Sequence, residues 1–272
     1  MSAKKGLAEL RQAKKSDTGR ALRLVVKIGT SVIAPGGRID ANRLRLLVDQ
    51  LELRQHEYIL VTSGAVAGGM SSLGLTERPN EIALMQASAA VGQSQLMHTY
   101  EQLFFGKKIV AQLLVSSDDF ISAGRYQNFC NTLRRLLELN VLPIINENDS
   151  VSVREIEGSF GDNDELSALV ATAVKADWLI LLTDVDGFYR QNGHVTPRVV
   201  STVRRITPAM EAACNGNGKL GRGGMHSKLR AANVAMKAGV NVAIANGTQP
   251  NVIPLVLKHK VGTYFPAQRT KN

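Results

Sequence analysis

Residues 164–183 read DELSALVATAVKADWLILLT, and this stretch decides the fold. Leu166, Leu169, Val170 and Val174 recur at helical spacing, which predicts a helix over Asp164–Lys175. Trp178–Thr183 follows with almost no polar residue and no alternation, the pattern of a strand buried on both faces. Working outward, similar apolar runs at Leu22–Lys27, Tyr58–Thr62, Ile109–Val115, Val141–Ile145 and Val240–Ala245 predict further strands. Between them, Leu44, Leu47, Val48 and Leu51 fall at helical spacing, and helices are predicted over Arg125–Glu138 and Met225–Ala238. Pro79-Asn80 opens a long helical stretch through Phe104, with Asn80 as the expected N-cap. Strands and helices in alternation predict an α/β fold, a three-layer αβα sandwich on a mainly parallel sheet.

The 272 residues are 44 % apolar and 21 % charged, values of a globular chain rather than a disordered one. No apolar run reaches the ~18 residues of a membrane helix, and the basic N-terminus has no apolar segment behind it to act as a secretory signal. Two cysteines, Cys130 and Cys214, make neither a disulfide framework nor a zinc site. A soluble, reduced, cytoplasmic protein is expected. The net charge of +10 divides unevenly: +4 in residues 1–20, −3 in residues 21–211 and +9 in residues 212–272, which contain no acid. Residues 1–20 are expected to form a disordered basic arm, and residues 21–272 a single domain, since no linker-like segment divides them. Acidic Asn146–Glu165 beside an acid-free basic segment suggests a site that handles an anion next to a cation. No aromatic-studded basic strand or recognition helix accompanies the charge, which argues against nucleic acid as the main partner.

In open parallel sheets ligands collect at the carboxyl ends of strands. That rule directs attention to Lys27–Ser31, Ser63–Gly69, Asn146–Asp164, Thr183–Gly187 and Gly218–Lys228. Several formal matches there fail. Gly216-x-Gly218-x-x-Gly221 follows a predicted helix rather than a strand and has no downstream acid for a ribose. No Walker A loop occurs, Asp184–Gly187 lacks the remainder of a calcium loop, and the five histidines have no metal-ligand spacing. Other segments hold up. Lys27, at the last position of a buried strand, needs an anion or a route to water, and Gly29 behind it lets backbone amides approach a phosphate. Gly221–Lys228 is a glycine loop running into a helix, whose first-turn N–H groups favour an anion. Asp162, Asn163 and Asp164 stand at a helix entrance, where one acid can cap and the other is left for a cation or a lysine. Asn146–Asp149 is a second polar cluster behind a buried strand.

Taken together, VVKIGTS (25–31), VTSGAVAGG (61–69), PIINENDSV (143–151), GDNDELSA (161–168), LLTDVDGFY (181–189) and GRGGMHSK (221–228) resemble the glutamate 5-kinases of the amino acid kinase superfamily, in order from about Leu22 to Gln268. The resemblance implies phosphorylation of the γ-carboxylate of L-glutamate by ATP, the first step of proline synthesis. It implies that Lys27 and Lys228 hold the phosphates, that Asp164 orients both lysines, and that Ser63, Asp149 and Asn163, with Asp162 nearby, bind glutamate. Gly29, Thr183, Asp184, Gly223, Gly224 and Met225 would join the two lysines at the nucleotide. It further implies Mg²⁺ with the nucleotide and no protein-held metal, inhibition by proline, and a dimer or tetramer. Arg222 stands where bacterial relatives usually have Thr, and the chain is expected to be a form without the C-terminal PUA module or a reductase half. Acceptors of other superfamily kinases (N-acetylglutamate, aspartate, a nucleoside monophosphate) and a non-catalytic binding role are the competing readings.

Overall fold

The computed structural model describes residues 20–151, 163–190, 198–214 and 224–268. The predicted basic arm therefore lies outside the described residues except for Arg20, as do Asp162 and Gly223. Seven strands form one sheet in the order β3-β4-β2-β1-β5-β8-β9. These are β1 (Arg23–Ile28), β2 (Glu57–Val61), β3 (Val110–Val115), β4 (Leu142–Glu147), β5 (Trp178–Thr183), β8 (Asn241–Asn246) and β9 (Thr263–Phe265). All neighbours are parallel except β9, which runs antiparallel to β8. A small antiparallel pair, β6 (Tyr189–Arg190) with β7 (Arg198–Val199), stands apart from it.

Alternation along each strand divides the core between two faces. Leu24, Val26 and Ile28 of β1 pack with Leu60, Ile144, Ile180 and Leu182. Against them lie α1 (Thr30–Ile33), α2 (Ala41–Val48), α4 (Ile82–Phe104) and α10 (Val252–Leu257), through Ile33, Leu44, Leu96, Tyr100 and Val252. Val25 of β1 and Val61, Ile145, Leu179 and Leu181 face the other way. There they meet α6 (Ala123–Glu138), α7 (Asn163–Ala173) and α9 (Met225–Lys237), through Leu133, Val170, Leu229 and Met236. Two helical layers on one sheet make the predicted three-layer sandwich. The remaining described α-helices are α3 (Ala65–Ser72), α5 (Ser117–Ile121) and α8 (Pro208–Ala213).

Some boundaries differ from the reading of the sequence. The long helix begins at Ile82 with Glu81 at its N-cap, not Asn80, and no side chain caps it. Strand β4 continues through Asn146 and Glu147, because both stay in register with Leu114 and Val115 of β3. Helix α3 (Ala65–Ser72) forms where a short segment with two adjacent glycines gave no helical signal. It is held by a backbone crossing with α4: a Cβ on Gly69 would lie 1.7 Å from the Ser88 carbonyl oxygen, and one on Gly92 1.8 Å from that of Ala65. Only glycine permits this approach, which seats the β2–α3 turn at the head of the sheet.

Candidate active site

β1 lies at the sheet's centre, with β2 on one side and β5 on the other, so the chain's connections diverge there and open a crevice at the carboxyl ends. Lys27 follows Val25 in alternation and projects to the α7/α9 face. Its Nζ lies 2.7 Å from Asp164 Oδ1, on α7. Lys228, on α9, puts its Nζ 3.0 Å from Asp164 Oδ2. The fold thus brings two lysines, 201 positions apart, to opposite oxygens of one carboxylate. All three residues are buried, Asp164 completely. Burial alone would push the Asp164 carboxyl up; the charges of Lys27 and Lys228, with hydrogen bonds from Lys27 and Ser227, hold it down at about 2. The trio carries a net positive charge with its carboxylate ionised, so it is poised for an anion.

Sequence reasoning overlooked Ser227. Its hydroxyl lies 2.8 Å from Asp164 Oδ2 and 3.0 Å from the Gly224 carbonyl, and it can donate to either. The signal was the hydroxyl immediately before Lys228 in the glycine-loop segment. Gly224 is the extended N-cap of α9 and Met225 its first residue, so both stand at the helix's positive end. Gly29 occupies the equivalent place before α1, and its N–H donates to the Leu182 carbonyl at 3.1 Å. A side chain there would press on that carbonyl, 3.1 Å from a Cβ, which ties Gly29 to the end of β5. Thr183 closes β5 and donates from its hydroxyl to Asp184 Oδ1 at 3.1 Å, while its carbonyl accepts from Gly247. Asp184 itself is exposed.

On the other side of Lys27, Ser63 follows β2 and Gly64 turns the chain with φ of 96°, a left-handed conformation that suits glycine. Asn163 Nδ2 donates to Ser63 Oγ at 3.0 Å and to Asn146 Oδ1 at 3.1 Å. Asn146 Nδ2 donates in turn to Gln93 Oε1 of α4 at 2.8 Å. Asp149 lies just beyond β4 and lines a cleft of about 550 Å³ together with Ala65, Gln93, His98, Glu101 and Glu147. Ser63, Asn163, Asn146 and Gln93 therefore form one connected run. Asp164 follows Asn163 in the chain but bonds to the lysines and Ser227, and Asp149 shares the cleft wall with Gln93. Gln93 was not singled out in the sequence, although an amide among the buried Ala89, Gly92 and Leu96 of α4 is the mark that would have found it. Among the described residues no group of three His, Cys, Asp or Glu could hold a metal ion.

The family model for the amino acid kinase family matches residues 22–246. The chain is 46 % identical over 252 residues to the glutamate 5-kinase of Synechococcus sp. (strain JA-3-3Ab), covering 89 % of this chain and 67 % of that protein. To the glutamate 5-kinase of Clostridium acetobutylicum it is 44 % identical over 253 residues, covering 89 % of this chain and 94 % of that protein. Among solved structures, carbamate kinase from Giardia lamblia bound to AMP-PNP superposes with a TM-score of 0.62 at 16 % identity, covering 91 % of this chain and 99 % of that one. Isopentenyl phosphate kinase gives 0.61 at 17 % identity, covering 89 % and 99 %. The solved structures share the fold, and the sequence matches carry the kinship: this chain belongs to the amino acid kinase family, on its glutamate 5-kinase branch.

Proposed function

We propose that the site transfers the γ-phosphoryl group of ATP to the γ-carboxylate of L-glutamate, giving ADP and L-glutamyl 5-phosphate, the first committed step towards proline. The single observation that carries the mechanism is the convergence of Lys27 and Lys228 on buried Asp164. A glutamate side chain, with a pKa near ~4.3, is already an ionised nucleophile at neutral pH and needs no general base. The barrier is the approach of one anion to another, which positioned cations and amides offset. Lys27 and Lys228 hold the phosphates and the transferring group, and Asp164 keeps the two ammonium groups at a fixed separation. Gly224 and Met225 present backbone N–H groups to the nucleotide at the positive end of α9, Gly29 and Gly223 give it room close to the chain, and Thr183 and Asp184 stand at its far side. Ser63, Asn163, Asp149 and Asp162 orient glutamate, and the Asp149 carboxylate suits its ammonium group.

A kinase of this family works on ATP with a divalent cation, which we take to be Mg²⁺. Asp164 is committed to two lysines, and we assign the ion to the nucleotide's phosphates, as the family likeness implies; the steps assigned here to protein residues do not pass through it. From the family likeness we also infer inhibition by proline, a dimer or tetramer, and work in the cytoplasm; among the described residues no helix is long and apolar enough to cross a membrane. We read residues 21–272 as one kinase domain, which the single seven-stranded sheet formed between Arg23 and Phe265 supports, and residues 1–20 as a basic arm. The direct test is turnover with Mg·ATP and glutamate in the presence of hydroxylamine. A glutamate-dependent γ-hydroxamate is expected, formed in step with ADP. ADP release only with N-acetylglutamate, aspartate or a nucleoside monophosphate would move the chain to another reaction.

A further inference from the structure

Gln93, Asn146, Asn163 and Ser63 form a buried run of hydrogen bonds from α4, across the ends of β4 and β2, to α7. Each amide has a donor end and an acceptor end, so the run has a direction. With Gln93 Oε1 accepting from Asn146, Gln93 Nε2 is left buried without a hydrogen-bond partner among the described residues, and so is Asn163 Oδ1 at the other end. Gln93 is only 8 % exposed, and leaving such a donor unpaired costs about 1–3 kcal/mol. A group kept in that state in a cleft wall is suited to a ligand atom. Turning all three amides over together would preserve the internal bonds, but it would add a carbonyl oxygen to a wall that already carries Glu101, Glu147 and Asp149. The direction observed instead supplies an N–H donor amid those carboxylates.

We propose that Gln93 is a specificity-determining residue, its Nε2 donating to the α-carboxylate of the acceptor amino acid. The inference rests on glutamate as acceptor. The γ-carboxylate then sits at the Lys27–Asp164–Lys228 end, next to Asn163, and the α-end extends towards the other terminus of the run, where Gln93 and Asp149 share the cleft. Gln93 recognises the carboxylate, and Asp149 recognises the ammonium group beside it. An amino acid lacking a free α-carboxylate leaves the donor buried and unpaired.

Gln93→Glu tests this because it keeps the oxygen that Asn146 needs and exchanges the unpartnered NH₂ for an oxygen. The KM for glutamate should rise roughly ten- to hundredfold, with kcat within about threefold of the parent and the KM for ATP unchanged. The parent enzyme should prefer glutamate to its α-carboxamide by about a hundredfold or more in kcat/KM, and Q93E should shrink that preference at least about tenfold, because its carboxylate can accept from the carboxamide. A folded Q93E, judged by its thermal melt, with unchanged KM and unchanged preference would overturn the assignment. The parent arm stands by itself if the variant does not fold: equal use of glutamate and its α-carboxamide also overturns it. Absence of any glutamate turnover in the parent would instead refute glutamate as acceptor, and this inference with it.

Discussion

Asp164 takes Lys27 on one carboxylate oxygen and Lys228 with Ser227 on the other. Neither lysine would stay charged cheaply in a buried site without it, and the two would repel each other. Its carboxyl is held at about 2, below the ordinary 3.8. A folded-state value below the unfolded one means stabilisation at pH above about 4, lost as pH falls from about 4 to about 2 and amounting to about 2 kcal/mol. Asp164→Asn should therefore be less stable than the parent at pH 5, with the gap closing by about 2 kcal/mol as urea unfolding is followed down to pH 2. A gap independent of pH would contradict the ion-pair account. The residues alone left Asp164 open between a cap and a partner for a cation, and its place between the lysines came from the family resemblance. Lys27 and Lys228 were legible as candidates because charge at the end of an apolar strand, or beside a glycine loop, has few physical explanations. Ser227 and Gln93 were not, since a hydroxyl or an amide on a helix announces nothing until its partners are known.

At the scale of elements, strand β5 was legible to the residue, because an all-apolar run between polar turns has one comfortable place in a covered parallel sheet. The carboxyl end of β4 was not: Asn146 and Glu147 look like a turn, yet the ladder with β3 continues through them. Their polarity serves the crevice above the sheet rather than a loop. Helix α3 was illegible for a different reason. Its glycines lower helix propensity, and tertiary packing against α4 compensates in a way local sequence cannot reveal. That crossing yields a prediction of its own. Gly92→Ala should destabilise the protein by about 1–3 kcal/mol or more, since the added methyl must displace backbone; denaturant unfolding measures it. Gly124→Ala, where nothing lies within 4 Å of the new methyl, is the control and should be nearly neutral. Equal effects at the two positions would mean that the helices are not in backbone contact.

Across the whole molecule, the fold's work is to bring β1, α7 and α9 together at the sheet's carboxyl edge, so that residues 27, 164 and 228 share one buried point. The uneven charge of the sequence has a local counterpart: the cleft wall carries Glu101, Glu147 and Asp149, and the lysine pair stands apart from it. One part suits an ammonium group and the other a phosphoryl group, as expected for a kinase whose acceptor is a zwitterion. The measurement that tests this most directly is steady-state turnover of Lys27→Ala and Lys228→Ala with Mg·ATP and glutamate, after thermal melts confirm that both variants fold. Each should lower kcat by at least ~10²-fold, the scale of losing one electrostatic stabiliser of the transition state. Near-parental kcat in either folded variant would contradict the claim that the two lysines act together on the migrating phosphoryl group.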